Sequence, residues 1–292
     1  MGFTSIYRAD LLAGRVVLVT GGGTGIGRCI AHEVAALGAT AVLAARREEP
    51  LRATADEIAA AGGRADWLTL DVRDAEAVER QVMHAVERHG RLDALVNNAG
   101  GQFPAPAEAI SPNGWRSVVD LNLTGAFLCS RASFHAWMGA HGGAIVSIVA
   151  DMWNGFPLMA HTAAARAGVV NLTKTLAVEW AGRGIRVNAV APGAVYSSGM
   201  DTYDEDVRRA AAETARRVPA GRVGSESEVS AAVVYLLSPA AAFTTGETIR
   251  VDGGASLAKE LLLPLGEAPS TEPFDGFHLA RQVPDDWAGR AG

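Results

Sequence analysis

The feature that most constrains this chain is an alternation of short apolar runs with longer segments whose apolar residues recur at intervals of three and four. The runs are RVVLV (15–19), TAVLA (40–44), ADWLTL (65–70), DALVN (93–97), AIVSIV (144–149), IRVNAV (185–190) and ETIRV (247–251). Their length and their content of Val, Ile and Leu read as strands. Between them, IAHEVAAL, AEAVERQVMHAVERHG and the stretch from Trp115 to Met138 are bounded by Gly, Asp or Pro and read as helices. Strands that are apolar on both faces, each followed by a helix, belong in a parallel sheet covered on both sides, because right-handed crossovers place the helices there. The chain has 292 residues and is 49% hydrophobic, enough for one large core, although length alone would permit two domains. The alternation favours one doubly wound α/β domain over residues 1–292.

The same composition excludes several classes of function. A net charge of -6, with only two lysines, Lys174 and Lys259, leaves no basic stripe for nucleic acid. No run of about 18 apolar residues occurs, so a membrane span is not expected. The N-terminal MGFTSIYRADLL has neither a long apolar core nor a small-residue cleavage site, and the C-terminal Arg-Ala-Gly is not a Ser-Lys-Leu address. Cys29 and Cys129 each lie inside an apolar helical pattern and read as buried free thiols. These features together predict a cytoplasmic protein. The two histidines of HAVERH are five residues apart on a polar helix, which is no metal signature, and no G-x-S-x-G elbow is present for hydrolysis.

After the first strand comes TGGGTGIG (20–27), leading directly into a helix. Gly21, Gly25 and Gly27 permit a tight turn and a close approach of pyrophosphate to the helix N-terminus, with Gly23, Thr24 and Ile26 completing the loop. The second strand ends in AARR, with no acid to accept from a ribose 2′-hydroxyl. Arg46 and Arg47 offer guanidinium donors suited to a 2′-phosphate, so NADPH is preferred to NADH. Asp71, beside Val72 after the third strand, is placed either to accept from an adenine amino group or to cap a helix. In NNAGG, residues Asn98, Ala99 and Gly100 can hold the sheet edge open around the adenine ribose.

Two segments break the rhythm. Residues 195–224 insert a polar, Ser/Gly-flanked helix after a strand end, where open α/β sheets bind ligands, and predict a lid. Residues 257–292 lack periodicity and predict a tail that folds over a neighbouring subunit.

Taken together, TGGGTGIG, NNAGG, LNLTGAF (121–127), IRVNAVAPG (185–193) and TGETIRVDGG (245–254) resemble the short-chain dehydrogenase/reductase family over residues 13–256. The resemblance implies a single Rossmann-type domain with a seven-stranded parallel sheet, an NAD(P) cofactor across the C-terminal strand edge, and a homotetramer or homodimer. It also implies that Pro192 and Gly193, with Val195 beyond them, contact the nicotinamide, and that Asn122, Thr162 and Arg166 occupy catalytic positions.

In that family a Ser-Tyr-Lys set works with an Asn; lysine lowers the tyrosine pKa and tyrosine moves the proton. Here Asn122 matches, but Val149, Thr162 and Arg166 stand at the other three positions. Threonine is far too weakly acidic to replace tyrosine, and arginine does not release its proton. Carbonyl reduction should suffer most. Reduction of an α,β-unsaturated thioester demands less, because hydride adds at the β-carbon and leaves an enolate oxygen that mainly needs hydrogen-bond donors.

The stretches NNAGGQF (97–103), PAEAIS (106–111), WMGAHGGAIVSI (137–148), GFPLMAHTAAARAGVVNLTK (155–174) and LLSPAAAFTTG (236–246) further resemble the family's trans-2-enoyl-CoA reductase branch, in which this replacement is a shared trait. That branch carries a tyrosine where this chain has Val170, so its assigned acid is missing too. The resemblance therefore implies an NADPH-dependent enoyl-thioester reductase acting on a small-molecule acyl thioester or carbonyl compound. A ketone or imine reductase using His161 or Asp151 as acid, and a catalytically silent NADP-binding protein, remain open at this stage. Gln102, Asp151, Trp153, His161 and Met200 are candidate substrate contacts. The bland roles of the same residues are a helix cap for His161, a locally satisfied hydroxyl for Thr162 and a brace on a kinked helix for Asn122.

Overall fold

The computed structural model describes residues 2–199, 205–215, 218–258 and 271–284. Within them seven strands form one sheet, all neighbours parallel, in the order β3-β2-β1-β4-β5-β6-β7. The strands are β1 (Val16–Thr20), β2 (Thr40–Ala45), β3 (Arg64–Thr69), β4 (Ala94–Asn97), β5 (Gly143–Ile148), β6 (Ile185–Pro192) and β7 (Thr248–Val251). Each lies within two residues of the apolar run that predicts it. The order reverses between β1 and β4, which opens a crevice at the carboxyl ends of those strands.

The helices are α1 (Gly25–Ala36), α2 (Glu48–Ala60), α3 (Ala75–His89), α4 (Pro112–Val119), α5 (Gly125–Ser133), the short α6 (Gly139–His141), α7 (Ala160–Trp180), α8 (Glu205–Ala215) and α9 (Glu226–Leu237). They cover both faces of the sheet. One core cluster joins α1, α2 and α9 to residues such as Val17, Val19, Leu43 and Val96. The other joins α3 and α5 to Leu18, Leu95, Ile145 and Val187. Strand residues alternate between the two clusters, as the period-2 geometry of a strand buried on both faces requires.

Helix starts follow local chemistry. Asp74 caps α3 by accepting from Ala77 N, Ser111 caps α4 from Gly114 N, and Ser225 with Glu228 forms a reciprocal capping box on α9. Between α4 and α5 the backbone widens into a π turn, Asp120–Thr124, and again at Phe134–Met138.

The excursion after β6 is closed at its root: Gly224 N donates to Ala194 O (2.8 Å), and Tyr196 N to Gly224 O (3.3 Å). Residues 271–284 pack on α1 and α9 of their own chain. Gly276 N and Phe277 N both donate to Ser227 Oγ (3.1 Å), and the Phe277 ring lies 5.0 Å from that of His32. No helix among the described residues is long and apolar enough to cross a membrane.

Candidate functional site

The crevice is built around the β1–α1 loop, and the residues that follow β4 hold that loop in place. Thr20 Oγ1 accepts from both Asn98 N and Ala99 N (3.0 Å each), while Asn98 Nδ2 donates to Thr20 O (3.0 Å) and Gly21 O (3.2 Å). Asn98 is therefore a clamp on the glycine loop, with its amide hydrogens directed at the loop backbone. The glycines are required by contact as well as by conformation. Gly21 and Gly25 have φ of 67° and 54°, and a Cβ on Gly27 would overlap the Gly21 carbonyl and the Asn98 amide.

A cleft of about 200 Å³ runs from this loop along the strand ends. It gathers Gly21, Gly23, Thr24, Arg46, Arg47, Asp71, Val72, Ala99 and Gly100 from the predicted cofactor set, with Ala44, Ala45, Pro50, Leu70 and Leu121 as further walls. Arg46 and Arg47 are exposed and make no ion pair among the described residues. Asp71, in contrast, is engaged: Arg73 clasps both carboxylate oxygens (2.6 and 2.9 Å) and holds the carboxyl below its ordinary range. Its capping alternative is also taken, by Asp74. An acceptor for an adenine amino group is thus less free at Asp71 than the sequence implies.

The remaining predicted cofactor residues lie outside that cleft. Ile26 and Val195 pack against the apolar core, and Val195 bridges to Gly224. Pro192 ends β6, its carbonyl accepting from Asp151 N (3.2 Å), and Gly193 is pressed against Asp252 so closely that a Cβ would lie 2.8 Å from its Cα.

Arg166 and Asn122 meet at Gly100. A Cβ on Gly100 would overlap Arg166 Nη2 and lie 2.8 Å from Asn122 Oδ1. Asn122, 1% exposed in the π turn, donates to Val118 O and Gly101 O (2.8 Å each) and so ties the widened helix to the loop after β4. Arg166 donates from Nη1 to Ile148 O (2.7 Å) and has no carboxylate partner among the described residues. Burial, with no opposing charge, pushes its guanidinium down to about 10. A half-buried cation with unused N–H groups and no counter-ion among the described residues is arranged to receive an acceptor from outside the chain.

On α7, His161 is fully buried. Its Nδ1 accepts from Thr162 N (2.8 Å) and lies 3.3 Å from Thr162 Oγ1, so Nε2 carries the ring proton and finds no partner. Burial lowers the His161 pKa, partly offset by the Met159 and Phe103 carbonyls near the ring. Met159 is the N-cap of α7 and makes no side-chain cap bond, so His161 does not cap the helix; its ring instead accepts from the adjacent Thr162 N, with the Thr162 hydroxyl beside it.

Val149 and Val170 fall into one apolar cluster with Met152, Val169, Ala189 and Ala191. Trp153 joins that cluster with one edge and carries the Arg250 guanidinium 4.2 Å above its ring. Asp151 is half-buried; burial and the neighbouring Asp252 raise its carboxyl above the ordinary range, against the Trp153 backbone and Arg250. Gln102 lies in an exposed loop, and Met200 lies outside the described residues. Among the described residues no group of three or more His, Cys, Asp or Glu side chains could hold a metal ion.

Sequence reading misses the Ile148 carbonyl that anchors Arg166, since backbone acceptors carry no residue signature. It also misses Ser197, Ser198 and Glu226, which converge on Gly25 from segments distant in the chain.

Comparison with known proteins follows the same line. A family profile described as Enoyl-(Acyl carrier protein) reductase matches residues 21–256. A Bacillus subtilis protein named "Probable 2,4-dienoyl-CoA reductase [(2E)-enoyl-CoA-producing]" is 40% identical over 243 residues, covering 82% of this chain and 96% of that one. Among solved structures, a citronellol catabolism dehydrogenase of Pseudomonas aeruginosa superposes with TM-score 0.78 at 49% identity, covering 86% of this chain and 99% of its own. A Beutenbergia cavernae structure that carries the name of an NAD(P)-dependent gluconate 5-dehydrogenase, with NADP at low occupancy, gives TM-score 0.79 at 40% identity over 86% of this chain and all of its own.

Proposed function

Because the chain belongs to the short-chain dehydrogenase/reductase family, we propose that it is an NADPH-dependent reductase of α,β-unsaturated acyl thioesters. The observation that carries this reading is the half-buried Arg166, which has donors to spare and no carboxylate partner among the described residues. The cofactor cleft fits the proposal, because Gly21 and Gly100 leave room that a side chain would fill and Arg46 and Arg47 stand at its far end.

A bound nicotinamide supplies the hydride. The chain's own task is then to hold the substrate carbonyl oxygen as negative charge develops on it, while the α-carbon takes its proton from water to complete the saturated thioester. Arg166 and the Thr162 hydroxyl are the donors for that oxygen, and their placement in a low-dielectric site strengthens the interaction. Val149 and Val170 keep the surrounding wall dry. Asn122 acts at one remove, fixing the loop at Gly100 and Gly101 through which Arg166 is held. The name of the Bacillus relative supports an acyl-CoA substrate, and the NADP in the Beutenbergia structure supports the cofactor.

The test is a substrate panel: purified protein with NADPH and crotonyl-CoA or longer enoyl-CoA esters should lose absorbance at about 340 nm, the band of reduced nicotinamide, whose oxidation is the expected step. No loss at any chain length overturns the reading. A ketone or imine reductase is the second reading, favoured by the half-buried Asp151 and its raised carboxyl. Turnover of ketones that vanishes in Asp151→Asn would install it in place of the first. Cofactor binding with no turnover of thioester, ketone or imine would leave a silent binding protein.

The proposal includes a cytoplasmic homotetramer or homodimer. Trp115, Phe127 and Val178 are exposed on α4, α5 and α7, and a second copy would cover such side chains. Light scattering on the purified protein tests the assembly.

A further inference from the structure

Three oxygens converge on the first residue of α1. A Cβ built on Gly25 would lie 3.5 Å from Ser198 Oγ, 3.6 Å from Ser197 Oγ and 3.8 Å from Glu226 Oε1. The two hydroxyls suit a phosphate beside a helix N-terminus; a carboxylate does not. Glu226 opens α9 and is 7% exposed, yet it makes no hydrogen bond or ion pair among the described residues. Glu228, two residues on, shows what a satisfied carboxylate looks like here: Arg222 (2.6 Å) and Ser225 N (2.9 Å) hold it.

The charges around Glu226 do not neutralise it. From α1, Arg28 faces it but is already bound at both ends to Glu57 (2.8 Å each). From the tail, Arg281 attracts and Asp275 repels, while Cys29 on α1 is a buried thiol kept protonated, chiefly by burial. Arg222 is tied to Glu228. Burial dominates, and the Glu226 carboxyl is pushed up to about 7.

We propose that Glu226 takes up a proton when a dinucleotide pyrophosphate settles at the N-terminus of α1, and that the resulting carboxylic acid donates a hydrogen bond to a phosphate oxygen beside Ser197 and Ser198. This rests on the NAD(P) reading above. An ionised carboxylate and a phosphate at such range repel strongly in a poorly hydrated pocket. A protonated carboxyl turns that repulsion into a hydrogen bond, as in other sites where a carboxylic acid is kept neutral in order to donate. The proton comes from solvent and no covalent bond changes. Cofactor affinity therefore falls as pH rises, by roughly tenfold per unit once Glu226 is ionised in the free protein.

Calorimetric titration in buffers of different ionisation enthalpy tests the proposal. NADH is titrated as well as NADPH, because it lacks the 2′-phosphate whose own titration would add to the count. Wild-type protein should take up nearly one proton per NADH at pH about 8 and far less at pH about 6, with Kd weakening about tenfold from pH 8 to 9. Glu226→Gln should bind either cofactor with no proton uptake and no such slope. Binding without uptake in wild type, or equal uptake in Glu226→Gln, overturns the proposal alone. No binding of either cofactor overturns the NAD(P) reading and this proposal with it. The wild-type proton count stands even if the variant folds poorly.

Discussion

The guanidinium of Arg166 occupies the space that a side chain on Gly100 would need. This one contact joins α7 to the loop after β4, and it explains a glycine whose backbone angles alone do not demand one.

Gly100→Ala should therefore push Arg166 away from Ile148 O. The overpacking costs about 1–3 kcal/mol, while a displacement of about 1 Å at the reacting centre costs on the order of a hundredfold in kcat/KM. Thermal melts and enoyl-CoA kinetics on the same preparation check both. Full activity in Gly100→Ala would mean that Arg166 has no catalytic duty.

Arg166→Met should separate stability from function. Removing a half-buried cation that has one carbonyl partner and no counter-ion among the described residues relieves a desolvation cost, so the melting temperature should stay level or rise by about 2 °C. Loss of the donor to the developing enolate should lower kcat and kcat/KM together. A fall in stability with unchanged kinetics would assign Arg166 a purely structural place.

Replacing Arg46 and Arg47 together by Ala should weaken NADPH binding by roughly 10- to 100-fold, the worth of charge-assisted hydrogen bonds to a 2′-phosphate. NADH binding should be unaffected. Fluorescence titration with both cofactors gives the ratio directly, and an equal loss for the two would place these arginines away from the 2′ position.

Acid should loosen the tail through His32. Burial against Phe277 and His278 lowers this imidazole from 6.5 to about 4, despite the nearby Glu57 carboxylate. A base whose folded pKa is depressed contributes its stability above the unfolded value and loses it as pH falls from about 6.5 to 4. The 2.5 units between those values correspond to about 3 kcal/mol at 1.36 kcal/mol per unit. Melting temperatures from pH 7 to 4 should fall in wild type more steeply than in His32→Phe, and parallel curves would remove His32 from the account.

The sheet, its crossovers and the glycine turn were legible in the chain because strand and helix periods, and the need for φ above zero at Gly21 and Gly25, are local properties of a few residues. What those residues touch was not. The tertiary fold alone decided that Asp71 is clasped by Arg73, that Val149 and Val170 share one apolar wall, that the tail lies on its own α1 and α9, and that Glu226 faces Gly25 across two hundred residues. Burial and desolvation depend on which distant segments close over a group, and no pattern along a single stretch encodes that.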